Sequence, residues 1–224
     1  MTTARLPAAV LWDMDGTLVD TEPYWIECEY AIVESFGGTW SDELAHSLVG
    51  NDLLESARFI AEAGGVPLEP VEIVEQLLDG VIERVRTRIP WRPGARELLE
   101  DLHARRVPCA LVTMSWRRFA EAIVDAVPDR FAALVTGDEV DRPKPYPDPY
   151  LVAARLLGQN PADCVAIEDS PKGVASAVAA GVPTLAVQNV VPLSPGPGLT
   201  LVHTLEDWTP ERLATLLPPP APGR

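Results

Sequence analysis

Apolar and polar positions along the chain follow two different periods, and the change from one to the other divides it. An uninterrupted apolar run at 8–12 fits a strand buried on both faces. From Thr21 the spacing becomes helical. Thr21 is placed to cap a helix with Pro23 in its first turn, Trp25, Cys28, Ile32 and Phe36 recur along it, and Gly37-Gly38 ends it. A short helix over 41–47 precedes the turn at 49–51. A third opens after Asp52, carries Leu53, Leu54, Ala57, Ile60 and Ala61, and stops at Gly64-Gly65. A fourth, over 69–88, has the clearest stripe: Val74, Leu77, Leu78, Val81, Ile82 and Val85 share one face. These segments predict a small helical bundle.

Pro90-Trp91-Arg92-Pro93-Gly94 breaks that pattern, and helices then alternate with short apolar strands, as in a parallel sheet covered on both faces. The predicted helix–strand pairs are 95–106 with 108–112, 117–127 with 132–135, 149–157 with 164–167, and 171–181 with 183–187. An edge strand at 199–202 and a helix at 209–217 close the chain. The fold class expected is α/β, a Rossmann-like parallel sheet with helices on both faces and an inserted helical bundle. The implied divisions are a core segment 1–20, the insertion 21–90, the main α/β core 91–217 and a Pro-rich disordered tail 218–224. No internal repeat is visible.

A chain of 224 residues, 47% hydrophobic, can bury a large core. Its net charge of -15 argues against a nucleic-acid surface, which needs a basic patch. No uncharged apolar run reaches the length of a membrane span. The N-terminal apolar stretch runs straight into Asp13, so it does not read as a removable signal. A cytoplasmic monomer is expected, with no nucleic-acid or membrane partner. Cys28, Cys109 and Cys164 are widely spaced within apolar segments and read as reduced core thiols. Of 18 basic residues only Lys144 and Lys172 are lysines, which hints at sites where a compact ammonium is wanted rather than a planar guanidinium.

Candidate chemistry begins where the first strand ends. Asp13 and Asp15 lie two residues apart, and i and i+2 of a strand share a face, so both carboxylates can point into one volume. Like charges so close need a bound cation or one protonated member. Ligands of open parallel sheets bind outside the carboxyl ends of the strands. Three more polar groups sit at such ends: Thr113-Met114-Ser115, Lys144-Pro145 and Glu168-Asp169-Ser170. Asp148 ahead of Pro149, and Ser170 ahead of Pro171, read as helix caps.

The order Asp13-x-Asp15-Gly16-Thr17, Thr113, Lys144 with Pro145, and Glu168-Asp169 resembles the haloacid dehalogenase superfamily along nearly the whole chain. The resemblance makes the insertion a small helical cap, closing over the site on hinges near 19–22 and 88–94. It implies Asp13 as a nucleophile that accepts a phosphoryl group and Asp15 as general acid and base. Magnesium would be held by Asp13, the main-chain carbonyl of Asp15 and Asp169, with Glu168 beside them. Lys144 would supply a cation and Thr113 a hydroxyl donor to the phosphoryl oxygens. Dehalogenases of the superfamily replace the second Asp of the first motif, so Asp15 argues against them. For the leaving group the candidates are Trp25, Asn51 and Arg58 in the insertion, and Ser115, Arg117 and Lys172 in the core. Trp25 has two readings, stacking on a sugar face or packing in the bundle. The expected activity is a magnesium-dependent phosphatase for a small phosphorylated metabolite, a sugar or polyol phosphate. A phosphomutase resembling beta-phosphoglucomutase is the alternative, and a non-catalytic binding protein is a third reading.

Overall fold

A computed structural model describes residues 5–49 and 51–219. Six parallel strands form one sheet: β1 (Ala9–Trp12), β2 (Cys109–Val112), β3 (Ala133–Val135), β4 (Cys164–Glu168), β5 (Thr184–Val187) and β6 (Leu199–Val202), in the order β3-β2-β1-β4-β5-β6. Successive side chains of a strand face opposite ways. Val10 and Trp12 of β1 therefore enter one apolar layer with Leu111, Val165 and Leu185, while Ala9 and Leu11 enter the other with Ala110, Val112 and Ala166. Helices α5 (Ala95–Ala104), α6 (Arg117–Val124) and α9 (Pro210–Leu213) contribute to the first layer, and α7 (Asp148–Leu156) and α8 (Pro171–Ala179) cover the second. Burial on both faces explains why the strands read as unbroken apolar runs.

Between β1 and α5 the chain forms α1 (Glu22–Ser35), α2 (Asp42–Ser47), α3 (Leu53–Gly64) and α4 (Pro70–Thr87). The side chain of Asp52 accepts from the amides of Leu54 and Glu55 at the start of α3, and Gly65 ends that helix in the left-handed region at φ 65°. The two segments joining this insertion to the core run side by side. Asp20 N–H donates to Pro90 O at 2.7 Å and Arg92 N–H to Leu18 O at 3.0 Å. The insertion also rests on α6: Trp25 meets Phe119 edge to face at 5.5 Å, and Arg118 pairs with Glu75 at 2.6 Å and with Asp79.

Three local expectations change. Thr21 makes no capping bond, because its backbone is already helical at φ -89°, ψ -6°. Asp148 does not cap α7 but lies inside its first turn, where Oδ1 accepts from Arg142 at 2.9 and 3.0 Å. The helix from Arg117 ends at Val124, short of 127, and gives way to turns ahead of Pro128, consistent with the bias of pre-proline residues away from helix. Of the Pro-rich tail, 220–224 lie outside the described residues. No described helix is long and apolar enough to cross a membrane.

Candidate active site

Since β1, β2 and β4 are adjacent, the residues that follow them must emerge together at the carboxyl edge of the sheet. At the centre is Lys144, which reaches in from the loop after β3. Its Nζ donates to Asp13 Oδ1 at 2.6 Å, Glu168 Oε1 at 2.6 Å and Val112 O at 2.9 Å. An ammonium has three donors, so all are used. Burial alone would lower the Lys144 pKa, but the charges of Asp13 and Glu168 outweigh it and hold the group protonated.

Glu168 is fully buried and equally committed. Oε1 also accepts from Tyr150 O–H at 2.8 Å, and Oε2 accepts from Asp169 N, Ser170 N and Ser170 Oγ at 3.0, 3.2 and 3.1 Å. Five bonds fill a carboxylate that offers about four lone-pair sites. A Cβ on Gly173 would lie 1.7 Å from Glu168 Oε1, so α8 can approach this carboxylate only with glycine there.

Asp15 is held from two sides: Ser115 Oγ donates to Oδ2 at 2.7 Å and Thr21 Oγ1 donates to Oδ1. Burial raises its pKa, with the bonds from Thr21, Ser115 and Trp25 partly offsetting the shift. Asp13 is pushed well above the usual carboxylate range, first by burial and then by the charge of Glu168, against the pull of Lys144. The same two causes push Asp169 up to about 7. Thr113 is buried; Ser115 N–H donates to its Oγ1 at 3.0 Å, while its own O–H is donated to no described protein atom.

Four carboxylates thus gather around one ammonium that bonds two of them directly. Oxygens of Asp13, Glu168 and Asp169 lie within 4.8 Å of one another, a hard-donor set suited to a divalent cation such as magnesium. The hydrogen bonds on Glu168 leave Asp13 and Asp169 as the carboxylates open to it.

The family described as haloacid dehalogenase-like hydrolase matches residues 7–181. This chain belongs to that family. It is 32% identical over 83% of its length to a bifunctional riboflavin kinase/FMN phosphatase of Arabidopsis thaliana, and spans 50% of that protein. It is 32% identical to a phosphorylated carbohydrates phosphatase of Thermotoga maritima, the match covering 78% of this chain and 82% of that one. In fold it is similar to CbbY from Rhodobacter sphaeroides, with a TM-score of 0.82 at 24% identity over 93% of this chain and 99% of the other.

In this haloacid dehalogenase-like hydrolase the acids and Lys144 come together, and the candidate leaving-group residues lie partly beside them and partly at the surface. Ser115 lies against Asp15, to which its hydroxyl donates at 2.7 Å. Arg117, at the start of α6, pairs with Glu139 at 2.5 Å and Glu121 at 3.5 Å. Trp25 is buried against Phe119, as bundle packing requires, and its side chain also bonds Asp15. Glu168 bonds to Lys144, Tyr150 and the loop after β4 while lying with Asp13 and Asp169 in the acidic group that could hold a metal. Arg58 is exposed on α3. Lys172 and Asn51 meet each other across the boundary between core and insertion, Nζ to Oδ1 at 3.5 Å.

Other residues have roles at the site that their sequence positions do not announce. Thr17 donates to Asp169 Oδ1 at 3.3 Å, and Asn189 donates to Oδ2 at 3.1 Å. Thr21 and Tyr150 complete the shells of Asp15 and Glu168. Glu22, half-buried at the start of α1, is pushed up to about 7 by burial and then by the Asp15 charge. Its Thr-Glu-Pro setting, a few residues beyond the Asp13–Thr17 motif, is the sequence feature nearest to it.

Proposed function

We propose that the chain is a magnesium-dependent phosphomonoesterase acting on a small phosphorylated metabolite, a sugar or polyol phosphate, through an aspartyl-phosphate on Asp13. A carboxylate oxygen of Asp13 attacks phosphorus as the ester P–O bond breaks. Asp15, whose raised pKa suits an acid, gives its proton to the departing alkoxide. Asp15 then takes a proton from water as that water attacks the phosphorus, freeing phosphate and restoring Asp13. Magnesium held by Asp13, Asp169 and the Asp15 carbonyl would neutralise charge on the phosphoryl oxygens. The uncommitted hydroxyl of Thr113 donates to those oxygens, and Lys144 acts through its field while fixing Asp13.

The observation carrying this reading is the pairing of Asp13, gripped by Lys144 at 2.6 Å, with Asp15, two residues on and gripped by Ser115 at 2.7 Å. One carboxylate is aimed as a nucleophile while its neighbour is kept as a proton carrier. The relative named for phosphorylated carbohydrates supports the substrate class. The test is phosphate release from an aryl phosphate with magnesium and with chelator, followed by a panel of sugar, polyol and glycolate phosphates. Release that is independent of magnesium, or none from any substrate, refutes the proposal. Interconversion of hexose phosphates without net release would make the enzyme a mutase.

A further inference from the structure

The strand order sets β5 beside β4, so the loop after β5 opens next to Asp169. Asn189 is the second residue of that loop. Its Nδ2 donates to Asp169 Oδ2 at 3.1 Å while Thr17 Oγ1 donates to Oδ1 at 3.3 Å, so each carboxylate oxygen has one donor from a different strand end. The loop is anchored just ahead of Asn189: Gln188 N–H donates to Val202 O at 2.7 Å, and Gln188 O accepts from Arg92 at 3.4 Å. The pair also sits directly on the nucleophile loop. A Cβ at Gly16, where φ is +85°, would come within 2.0 Å of Asp169 Oδ2 and 2.7 Å of Asn189 Nδ2. Asp169 is thereby confined between the Gly16 backbone and the amide of Asn189.

We propose that Asn189 is a positioning residue for the metal: its side-chain N–H fixes the rotation of the Asp169 carboxylate so that one lone pair of each oxygen is spent on the protein and the others face Asp13. This rests on the magnesium reading given above. Hydrogen-bonded partners of metal-ligating carboxylates orient them, and losing one typically costs about 10–100-fold in metal affinity. Asn189 is half-buried in a loop, so exchanging its side chain leaves the sheet intact.

The test uses metal-stripped full-length protein and Mn2+, which takes the same oxygen ligands as magnesium and is counted by electron paramagnetic resonance. Asn189→Leu, similar in shape but without a donor, should weaken Mn2+ binding by about 10–100-fold. It should leave the metal-free melting temperature unchanged, and raise the magnesium needed for half-maximal activity by the same factor with little change in the rate at saturating metal. Asn189→Gln, which keeps a donor, should restore most of the affinity. Unchanged Mn2+ affinity in Asn189→Leu, or equal losses in the Leu and Gln variants, overturns the proposal. If Asn189→Leu does not fold, Asn189→Asp carries the same test: it sets an acceptor against Asp169, and binding as tight as the parent refutes the idea. A parent protein that binds no Mn2+ sinks the metal reading itself, so the two failures are distinguishable.

Discussion

Replacing Lys144 by methionine probes the centre of the site without reference to a substrate. Methionine keeps an unbranched apolar stem but removes three donors, which contact Asp13 at 2.6 Å, Glu168 at 2.6 Å and Val112 O at 2.9 Å. Breaking a buried ion pair by deleting one partner costs about 3–5 kcal/mol, because the remaining charge stays buried. Unfolding entropy near 2.1 cal/mol/K per residue gives about 0.47 kcal/mol/K for 224 residues, so the melt should fall by about 6–11 °C. The loss should depend on pH with a definite sign. Burial already raises the Asp13 pKa above its ordinary 3.8, and Lys144 is what pulls it down. A carboxyl whose pKa is raised in the folded state carries no cost below its unfolded value, and the cost grows as pH rises toward the folded value. Without Lys144 that range extends upward, so the gap between parent and variant should be wider at about pH 8 than at about pH 5. Calorimetry in metal-free buffer measures both quantities. Adding Asp13→Asn to the Lys144→Met background should recover part of the loss, since the orphaned charge is then gone. A shift below about 2 °C at both pH values, or a gap that widens toward acid, refutes the idea that Lys144 is the counter-charge of this cluster.

Asp13→Asn alone should lower turnover by at least about 10⁴-fold, as expected when a nucleophile is lost, while the melt stays level or rises because a destabilised buried charge is removed; residual turnover within tenfold of the parent would reassign the nucleophile. With Asp169 pushed up to about 7 by burial and the Glu168 charge, the folded state binds the extra proton, so metal-free stability should fall as pH rises from about 4 to 7 and saturating magnesium should abolish the slope, as read from melts at a series of pH values. Gly173→Ala should destabilise by about 1–3 kcal/mol or more and depress activity, because its Cβ would lie 1.7 Å from Oε1 of a Glu168 carboxylate that five bonds hold in place; a urea midpoint equal to the parent's would show that α8 can shift.

The parts of the site that were legible in the sequence are those tied to chain direction. A polar residue directly after a short apolar run lies at a strand's carboxyl end, and adjacent parallel strands bring such ends together, so Asp13, Thr113 and Asp169 could be grouped without coordinates. The helical insertion was readable for a similar reason: its stripes bury one face, as the buried Ile73, Val74, Leu77, Leu78, Val81 and Val85 of α4 illustrate. Roles set by which groups meet in space, rather than by a local pattern, were not legible. Thr21 has the sequence appearance of a helix cap, yet its hydroxyl goes to Asp15. Tyr150 looks like another core aromatic on α7, and only the approach of α7 to β4 gives its O–H to Glu168. Asn189 follows an apolar strand as Thr113 does, but a lone amide in a loop carries no distinguishing pattern.

The surroundings of the candidate Arg117 have a related physical cause. An exposed arginine takes whichever carboxylates surround it, and in a chain with 33 acidic residues those are abundant, so Arg117 and Arg118 are engaged by Glu139, Glu121, Glu75 and Asp79. Lys144 escapes that competition because it is buried where only Asp13, Glu168 and a carbonyl can reach it. Its bonds to Asp13 and Glu168 also tie two strand ends to one loop, so the orientation of Asp13 and the placement of that loop share a single ammonium. Substituting Arg for Lys144 would need space for a planar fork beside residues that are already packed, which is the physical content of finding one of only two lysines at this position.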